Sequence, residues 1–415
     1  MKRFDDFREY TDYFSENIST IDFLDIEEYP YRVFFYTGEF HSILSYETLK
    51  HTKEFQLEFW RPYYGISRAY SKNIHGVVHR IFPAKKVKSL FPLNSYVYSK
   101  SLSAELRKEC EKGSVLLSLG WPTKTSSKLL FNVKPRNVPV LANHRSGTFI
   151  KYYYKNFTPV QKINPFVFYE YLLEKLICKK YIDIFQCTIK ELRDYINKKN
   201  ICETVNLFDG IDYNLYCPTS DKNTLKNELG IPIGKKILLY VGRFYEDKDA
   251  DYLIDIYSKL KLIRNDIILL MVGGYKSDKY YDYGLRQGAI MIERVNQNQL
   301  VRYHQISDLY LLPIKNYVVR NFGGIGSAVI QSLACGVPVI SDNLVHFQGT
   351  ESEKSLIGRL MNGESEFINN IIYVLDNPEK FSRCREISRK YYDVDICTLK
   401  LIDIYKDLFK KYKVY

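Results

Sequence analysis

The sequence predicts an α/β protein with two doubly wound, Rossmann-like domains, each built on a parallel β-sheet. The chain has 415 residues, more than one hydrophobic core usually supports. Short apolar runs rich in β-branched and aromatic residues alternate with amphipathic stretches along its length, which is typical of βαβ units. Ligands of such sheets bind outside the carboxyl ends of the strands. We therefore expect a functional site in the cleft between the domains.

Strands in the first half are predicted from apolar runs that end at turn residues. They are expected at residues 33–37, 56–60, 77–82, 115–119, 138–143, 184–187 and 204–207. Thr188 and Glu191 have the spacing of a capping box, so a helix is expected to begin there. The turn signal Phe208-Asp209-Gly210-Ile211-Asp212 ends this half, and polar residues 219–227 lead into the next helix.

The second half repeats the alternation. Strands are expected at residues 236–241, 266–272, 308–313 and 337–341, with helices at 250–262, 299–304 and 328–335. We predict four segments in all. They are an acidic extension at 1–29, an N-terminal domain at 30–215, a C-terminal domain at 216–395, and a helix at 396–415 that packs on the N-terminal domain.

Charge and composition limit the function classes. The formal net charge is +12, although residues 1–29 carry −6, so the rest of the chain carries +18. A basic body suggests an anionic partner: phosphates, an acidic glycan or a membrane surface. Nucleic acid is not expected, because zinc-finger, RRM and KH signatures are absent from the sequence. The eight cysteines form no C-x-x-C pair, so we expect buried thiols rather than a zinc site or disulfides.

Membrane and export signals are absent from the sequence. Its apolar runs are shorter than the ~20 residues that span a bilayer. The first residues turn acidic at once and lack a signal-peptide core. We expect a cytoplasmic protein, with peripheral contact with the inner face of a membrane left open.

A candidate phosphate-binding turn follows the strand at 236–241. Gly242 allows a tight turn, and Arg243 offers a planar fork that matches phosphate oxygens. Lys248 lies near the start of the next helix, where anions are attracted. The alternative is a pair of solvated cations beside Glu246, Asp247 and Asp249, and spacing alone favours that alternative.

A glycine-rich loop is the second candidate. Gly323-Gly324-Ile325-Gly326 comes just before the helix at 328–335, where backbone N–H groups are left to donate. A flexible connection is the alternative. Arg294 follows the short apolar run at 289–292 and can face the same cleft, although an ordinary surface cation is the favoured interpretation.

Taken together, these stretches resemble the retaining glycosyltransferases of family 4, which have the GT-B fold. The Gly242-Arg243 turn with Lys248 matches the family's G-R-x4-K motif. Residues 323–340 match its signature E-G-F-G-x4-E-A-m-A-c-G-x-P-V-I, and Val272-Gly273-Gly274 and Ser307-Asp308 begin two further partial matches. The resemblance covers roughly residues 235–345 in order. It implies two Rossmann-like domains facing a cleft, with a C-terminal helix crossing back.

The first half is similar to the family more faintly. The 208–212 turn resembles its interdomain hinge. The strand at 138–143 resembles one that ends in a donor-contacting histidine, which makes His144 a candidate. A structural histidine is the equally weighted alternative.

Two residues depart from the family pattern. The family's paired glutamates are Gly323 and Gln331 here. Gln331 can hydrogen-bond a ribose hydroxyl but carries no charge, and Gly323 offers only its backbone. The identity of the donor sugar is the property that these changes affect most.

The resemblance implies a retaining transfer of sugar from a nucleotide-diphosphate donor to a glycan, lipid-linked or protein acceptor. No cofactor and no metal are expected. The implied catalytic residues are His144, Arg243 and Lys248, and the implied donor-binding residues are Gly242, Gly323, Gly324, Ile325, Gly326, Gln331 and Arg294. An inactive partner subunit of another glycosyltransferase and a sugar-nucleotide epimerase are the alternatives. Retention of Arg243 and Lys248 favours the transferase.

The acceptor side is expected on the first domain. Residues 143–162 interleave basic and aromatic side chains, which suits a glycan or an anionic membrane interface. Arg80, Lys85, Lys86 and Lys88 are expected to extend this patch. A solvated basic helix face with a core stripe is the alternative, and it is favoured on composition alone.

Overall fold

The structure is a computed structural model that describes residues 31–36, 51–74, 77–87, 96–120, 138–144, 176, 179–244, 249–314 and 324–412. Its strands form two sheets, separated along the chain between residues 205 and 236. The limits of the four predicted segments, at 29, 215 and 395, remain predictions, and the extension 1–29 lies outside the described residues.

Nine strands of the described residues build the first sheet, in the order β3-β4-β2-β1-β6-β7-β8-β9 with β5 on β4. They are β1 Tyr31–Tyr36, β2 Phe55–Tyr64, β3 Tyr70–Ile74, β4 Val77–Val87, β5 Tyr96–Tyr98, β6 Val115–Gly120, β7 Val140–His144, β8 Ile184–Cys187 and β9 Glu203–Val205.

All pairs in this sheet are parallel except β3 and β5, which run antiparallel to β4. The sequence does not predict these two strands. β3 is a short edge strand of mixed sequence, Tyr-Ser-Lys-Asn-Ile, and its Tyr70 is 47% exposed. An edge strand buries little of its surface, so it lacks the apolar pattern that marks a central strand.

Six strands within the described ranges build the second sheet, and all their pairs are parallel. They are β10 Lys236–Val241, β11 Ile267–Gly274, β12 Ile290–Glu293, β13 Leu309–Leu312, β14 Val339–Ser341 and β15 Gly358–Arg359. Their order, β12-β11-β10-β13-β14-β15, is the 3-2-1-4-5-6 order of the Rossmann fold. The chain therefore reverses its winding direction between β10 and β13, which makes this pair the topological switch point.

Eleven α-helices are described. They are α1 Lys100–Glu111, α2 Lys190–Lys198, α3 Lys222–Glu228, α4 Ala250–Ile263, α5 Tyr281–Arg286, α6 Gln297–Ile306, α7 Ser327–Ala334, α8 Glu351–Ile357, α9 Glu364–Asp376, α10 Cys384–Tyr392 and α11 Val394–Lys411. Short 3-10 helices occur at Asp342–His346 and Pro378–Phe381.

The predicted capping box of α2 is wrong. The helix begins one residue late, with Ile189 as its N-cap and no side-chain capping bond. Glu191 is then the second residue of the helix rather than the third, so it cannot bond back to the N-cap.

The hydrophobic core of the described part of the chain has three parts. One surrounds the second sheet, and two cover opposite faces of the first sheet. Helix α11 supplies much of one face, where Tyr405 and Phe409 pack against Phe55. The C-terminal helix thus crosses back to the first sheet, as predicted. Cys187, Cys335, Cys384 and Cys397 are buried in these cores, and burial raises the pKa of the Cys187 thiol to about 12.

A charged cluster lies inside the first sheet. The Glu58 side chain is 0% exposed, and its Oε1 accepts bonds from Arg32 Nη2 at 2.7 Å and Nε at 3.0 Å. Its Oε2 accepts from Arg80 Nε at 2.6 Å and Trp60 Nε1 at 3.1 Å. Arg32 also bonds Glu109 of α1. Arg80 therefore points into this cluster, which corrects its predicted place in a surface basic patch, because a buried carboxylate requires paired cations.

The chain crosses over itself at Gly210. Ile211 N donates to Tyr392 O at 2.8 Å, and Val394 N donates to Ile211 O at 2.9 Å. Gly210 has φ +77°, and a Cβ built on it would lie 2.6 Å from the Val394 Cα. The predicted hinge thus touches the start of α11, with no room for a side chain.

Replacing Gly210 with alanine is expected to destabilise the protein, because the new methyl group meets backbone that cannot rotate aside. Gly230→Ala is the matched control: its φ is +66°, but a Cβ there meets nothing within 4 Å. Backbone strain alone costs about 1–2 kcal/mol. Thermal unfolding should show a clearly larger loss for Gly210→Ala, and equal losses would mean that the crossing is not tightly packed.

Candidate functional site

Both predicted anion-binding features lie at the switch point of the second sheet. Strand β10 ends at Val241 and leads into Gly242-Arg243-Phe244. Strand β13, its neighbour, ends at Leu312, and the chain returns at Gly324 before α7. The carboxyl ends of neighbouring parallel strands meet at one edge of the sheet. The structure therefore brings the Gly242–Arg243 turn and the glycine-rich loop to the same edge.

Two buried tyrosines hold the Gly242–Arg243 turn. Tyr240 Oη donates to Arg243 O at 3.0 Å, and Tyr310 Oη donates to Val241 O at 3.4 Å. Both residues are 0% exposed. Tyr310 is paired with Leu239, so the two rings lie on opposite faces of the sheet. Burial raises the pKa of Tyr310, so its hydroxyl stays a donor.

Glycines let the turn pack closely against β11. Gly242 N donates to Val272 O at 2.9 Å. A Cβ on Gly273 would lie 3.0 Å from Gly242 O, and a Cβ on Gly274 would overlap the buried Phe244 ring at 1.9 Å. The Val272-Gly273-Gly274 match therefore has a physical reason, because side chains at these positions would displace the turn.

Of the three predicted cations, Arg243 and Arg294 lie within the described residues and Lys248 does not. The Arg243 side chain is exposed at the switch point. Lys248 lies in 245–248, outside the described residues, and α4 begins just after at Ala250. Arg294 is exposed at the end of β12, two strands from β10, and its N donates to Gly274 O at 3.0 Å.

The glycine-rich loop leads directly into a helix N-terminus. Gly323 lies outside the described residues. Gly324 is buried with φ +60°, Ile325 is buried, and Gly326 has φ +85° as the N-cap of α7. Gly326 has no side chain to cap the helix, so the first N–H groups of α7 are left for an anion. Gln331 lies one turn further along α7 and is 8% exposed.

The first sheet supplies the opposite wall. Thr188 follows β8, and its Oγ1 lies 3.1 Å from where a Cβ on Gly324 would be. Glu191 of α2 has its Oε2 3.7 Å from His346 Nδ1, in the 3-10 helix after β14. His144 ends β7 and is paired with Cys187 of β8, so its backbone lies at this same edge, although its side chain lies outside the description.

Four residues of this site are not found by sequence reasoning: Thr188, Tyr240, Tyr310 and Asn343. Tyr240 and Tyr310 stand in apolar strands and look like core residues. Asn343 donates from Nδ2 to Gly324 O at 2.7 Å across 19 residues of chain. The only usable signal is their position beside the carboxyl ends of predicted strands.

Among the described residues, groups of three or more His, Cys, Asp or Glu that could hold a metal are absent. None of the helices described is long and apolar enough to cross a membrane.

The sequence around this site matches a known protein family. Residues 221–391 match the family described as Glycosyl transferases group 1. These residues belong to the glycosyl transferases group 1. The matched segment contains the Gly242–Arg243 turn, the glycine-rich loop and α7, so the site lies inside the group 1 domain.

Curated relatives agree with this assignment. An uncharacterized glycosyltransferase of Methanocaldococcus jannaschii is 22% identical over 231 residues, 52% of this chain and 54% of that protein. The D-inositol 3-phosphate glycosyltransferase of Corynebacterium aurimucosum is 25% identical over 219 residues, 47% of this chain and 52% of that protein. The chain thus spans about half the length of the curated relatives it matches.

Solved structures extend the fold comparison to about nine-tenths of the chain. Sucrose-phosphate synthase from Thermosynechococcus elongatus has a TM-score of 0.64 at 16% identity, covering 92% of this chain and 100% of its own. Anabaena HepE in complex with UDP has a TM-score of 0.61 at 12% identity, covering 91% and 100%. These likenesses confirm the predicted GT-B fold around the group 1 domain.

Tyr240→Phe tests whether the buried hydroxyls position the turn of the group 1 domain. Removing Oη leaves the ring packing intact but frees the Arg243 carbonyl. One hydrogen bond contributes about 1 kcal/mol, so we expect nucleotide-diphosphate affinity to fall about fivefold by calorimetry. Tyr257→Phe is the control. The Tyr257 Oη donates to Gly288 O at 3.4 Å, and this bond lies outside the site. Equal affinities for both variants would exclude this role.

Proposed function

We propose that this protein is a retaining glycosyltransferase that moves a sugar from a nucleotide-diphosphate donor, with UDP as its nucleotide, to a glycan, lipid-linked or protein acceptor. The observation that carries the proposal is the pairing of the Gly242–Arg243 turn with the glycine-rich loop at one switch point. Such crevices bind nucleotides. The HepE structures in complex with UDP and with UDP-glucose support the choice of donor.

The chemistry follows from where negative charge develops. The bond from the anomeric carbon to the diphosphate breaks, and its electron pair goes to the phosphate oxygen. Arg243, Lys248 and the N-terminus of α7 stabilise that charge, each contact being worth several kcal/mol, roughly 3–4 in comparable oxyanion sites. The acceptor oxygen bonds to the same face of the carbon, and its proton passes to the leaving phosphate. No protein base and no metal are needed for this route.

Other residues have binding roles in this proposal. Gln331 hydrogen-bonds a ribose hydroxyl, Gly323 to Gly326 contact the diphosphate, and Arg294 contacts the outer part of the donor. His144, from the edge of the first sheet, contacts the sugar. Closure of the two walls of the site, which meet at Thr188 and Gly324, excludes water from the reacting centre.

The substitution of Gly323 and Gln331 for paired glutamates supports a second candidate, a partner subunit that binds nucleotide sugar without transferring it. Gln331 is nearly buried and uncharged, so it cannot supply the carboxylate that an active family member has. Binding without donor turnover would identify this second function.

A panel of nucleotide sugars tests the main proposal. Binding is measured by calorimetry and slow donor hydrolysis by release of the nucleoside diphosphate, with Arg243→Ala beside the native protein. We expect at least one UDP-sugar to bind and hydrolyse, and both signals to fall in the variant. If none of the nucleotide sugars binds, or the variant binds equally well, the donor site is refuted.

The acceptor is proposed to bind on the side of the first sheet, with peripheral contact with an anionic membrane at the cytoplasmic face. The basic and aromatic stretch 145–162 that suggested this lies outside the described residues, and Lys85 is exposed. Sedimentation with anionic and neutral vesicles is the test. Absence of the protein from the pellet of anionic vesicles would remove the membrane contact and leave a free glycan or protein as acceptor.

A further inference from the structure

Asn343 lies beneath the glycine-rich loop. It belongs to the 3-10 helix Asp342–His346 that follows β14 and is 2% exposed. Its Nδ2 donates to Gly324 O at 2.7 Å, and its backbone N donates to Ser341 Oγ at 3.1 Å. Its Oδ1 is buried and has no hydrogen-bond partner among the described residues. The side chain is therefore placed by one bond, and that bond goes to the loop.

The bond sets the direction of one peptide group. The peptide between Gly324 and Ile325 is trans, so its C=O and N–H point in opposite directions. Gly324 O points inward at Asn343. The N–H of Ile325 must therefore point away from Asn343, which leaves it able to donate to an anion at the N-terminus of α7. The reversed peptide would present a carbonyl oxygen to the same anion and repel it.

Glycine at 324 makes this orientation easy to lose. Gly324 has φ +60°, and glycine adopts positive and negative φ with similar ease. The peptide on its C-terminal side can thus rotate at little cost unless another group holds it. Asn343 supplies a buried donor at the place where the carbonyl must stay.

We propose that Asn343 is a positioning residue that locks the Gly324–Ile325 peptide with its N–H toward the diphosphate of the donor. The proposal rests on the proposed function and adds to it a residue that does not itself contact the donor. The positioning role also accounts for a buried side chain with an unpaired oxygen at this place, because an unpaired buried acceptor destabilises the fold.

Asn343→Leu and Asn343→Asp separate positioning from folding. Leucine removes both the donor and the unpaired oxygen, so stability should change little once the Gly324 carbonyl turns outward. Aspartate has the same shape, but it places a second oxygen against that carbonyl. Both variants are expected to bind UDP about tenfold more weakly, since a hydrogen bond to a charged group is lost. Uridine has no phosphate, and its binding should not change.

The measurements are UDP and uridine affinities, by calorimetry and ligand-observed NMR, together with thermal unfolding of each variant. Weaker UDP binding with unchanged uridine binding in either folded variant supports the positioning role of Asn343. Unchanged UDP binding in both variants, or a parallel loss of UDP and uridine, overturns it. Failure of the native protein to bind UDP would instead refute the UDP donor proposal, so the two failures can be distinguished.

Discussion

Arg243→Ala is expected to lower the turnover of the donor by about 10²–10³-fold, the loss seen when one preorganised donor to a developing negative charge is removed. The side chain is exposed at the switch point, beside the strand end that Tyr240 and Tyr310 hold. The diphosphate gains its extra charge only as the sugar bond breaks. The effect should therefore be larger on kcat than on KM, and the smaller loss of ground-state binding is the one that calorimetry reports.

Arg243→Lys should recover part of the loss, because an ammonium keeps the charge but not the planar fork that matches two phosphate oxygens. Arg286→Ala is the matched control, since Arg286 is an exposed arginine in the last turn of α5. Donor hydrolysis measured across these variants gives the comparison. A full rate in Arg243→Ala would show that the arginine is a solvated surface cation, the interpretation that spacing alone favours.

Glu58→Ala is expected to cost about 3–5 kcal/mol of stability, the usual cost of removing one partner from a buried ion pair. Glu58 is 0% exposed and accepts bonds from Arg32, Arg80 and Trp60. Without it, two guanidinium groups that are only 19% and 18% exposed lose their shared counter-charge. The melting temperature of the first domain should fall by on the order of 10 °C.

The matched control is Glu228→Ala, which removes the partner of Arg302 from a surface pair whose Glu228 side chain is 55% exposed. Exposed pairs contribute little, so this variant should melt close to the native protein. Circular dichroism melting of both variants decides the point. A similar small shift in both would mean that water reaches the Glu58 cluster and screens it.

Much of the second sheet is predictable from sequence because its strands are covered on both faces. Such strands appear as unbroken apolar runs, and β10 has the predicted bounds 236–241. The first sheet is harder to predict. Its antiparallel strand β3 has a mixed sequence and β5 is only three residues long, and the start of α2 differs by one residue from the predicted cap.

Some candidate residues remain predictions. Lys248 and Gly323 lie outside the described residues, and so does the side chain of His144. Their assignment rests on the family motif and on the backbone that flanks them.

The sequence by itself determined the α/β class, the GT-B resemblance and the two loops with their glycines. Each of these is a local property, expressed in the order and spacing of neighbouring residues. Only the tertiary structure decided that both loops share the switch point, that Arg80 is drawn inward by Glu58, and that Asn343 holds Gly324. These contacts join residues that are 19 or more positions apart. Which distant side chains meet is set by the strand order, and one sequence gives no local signal of that order.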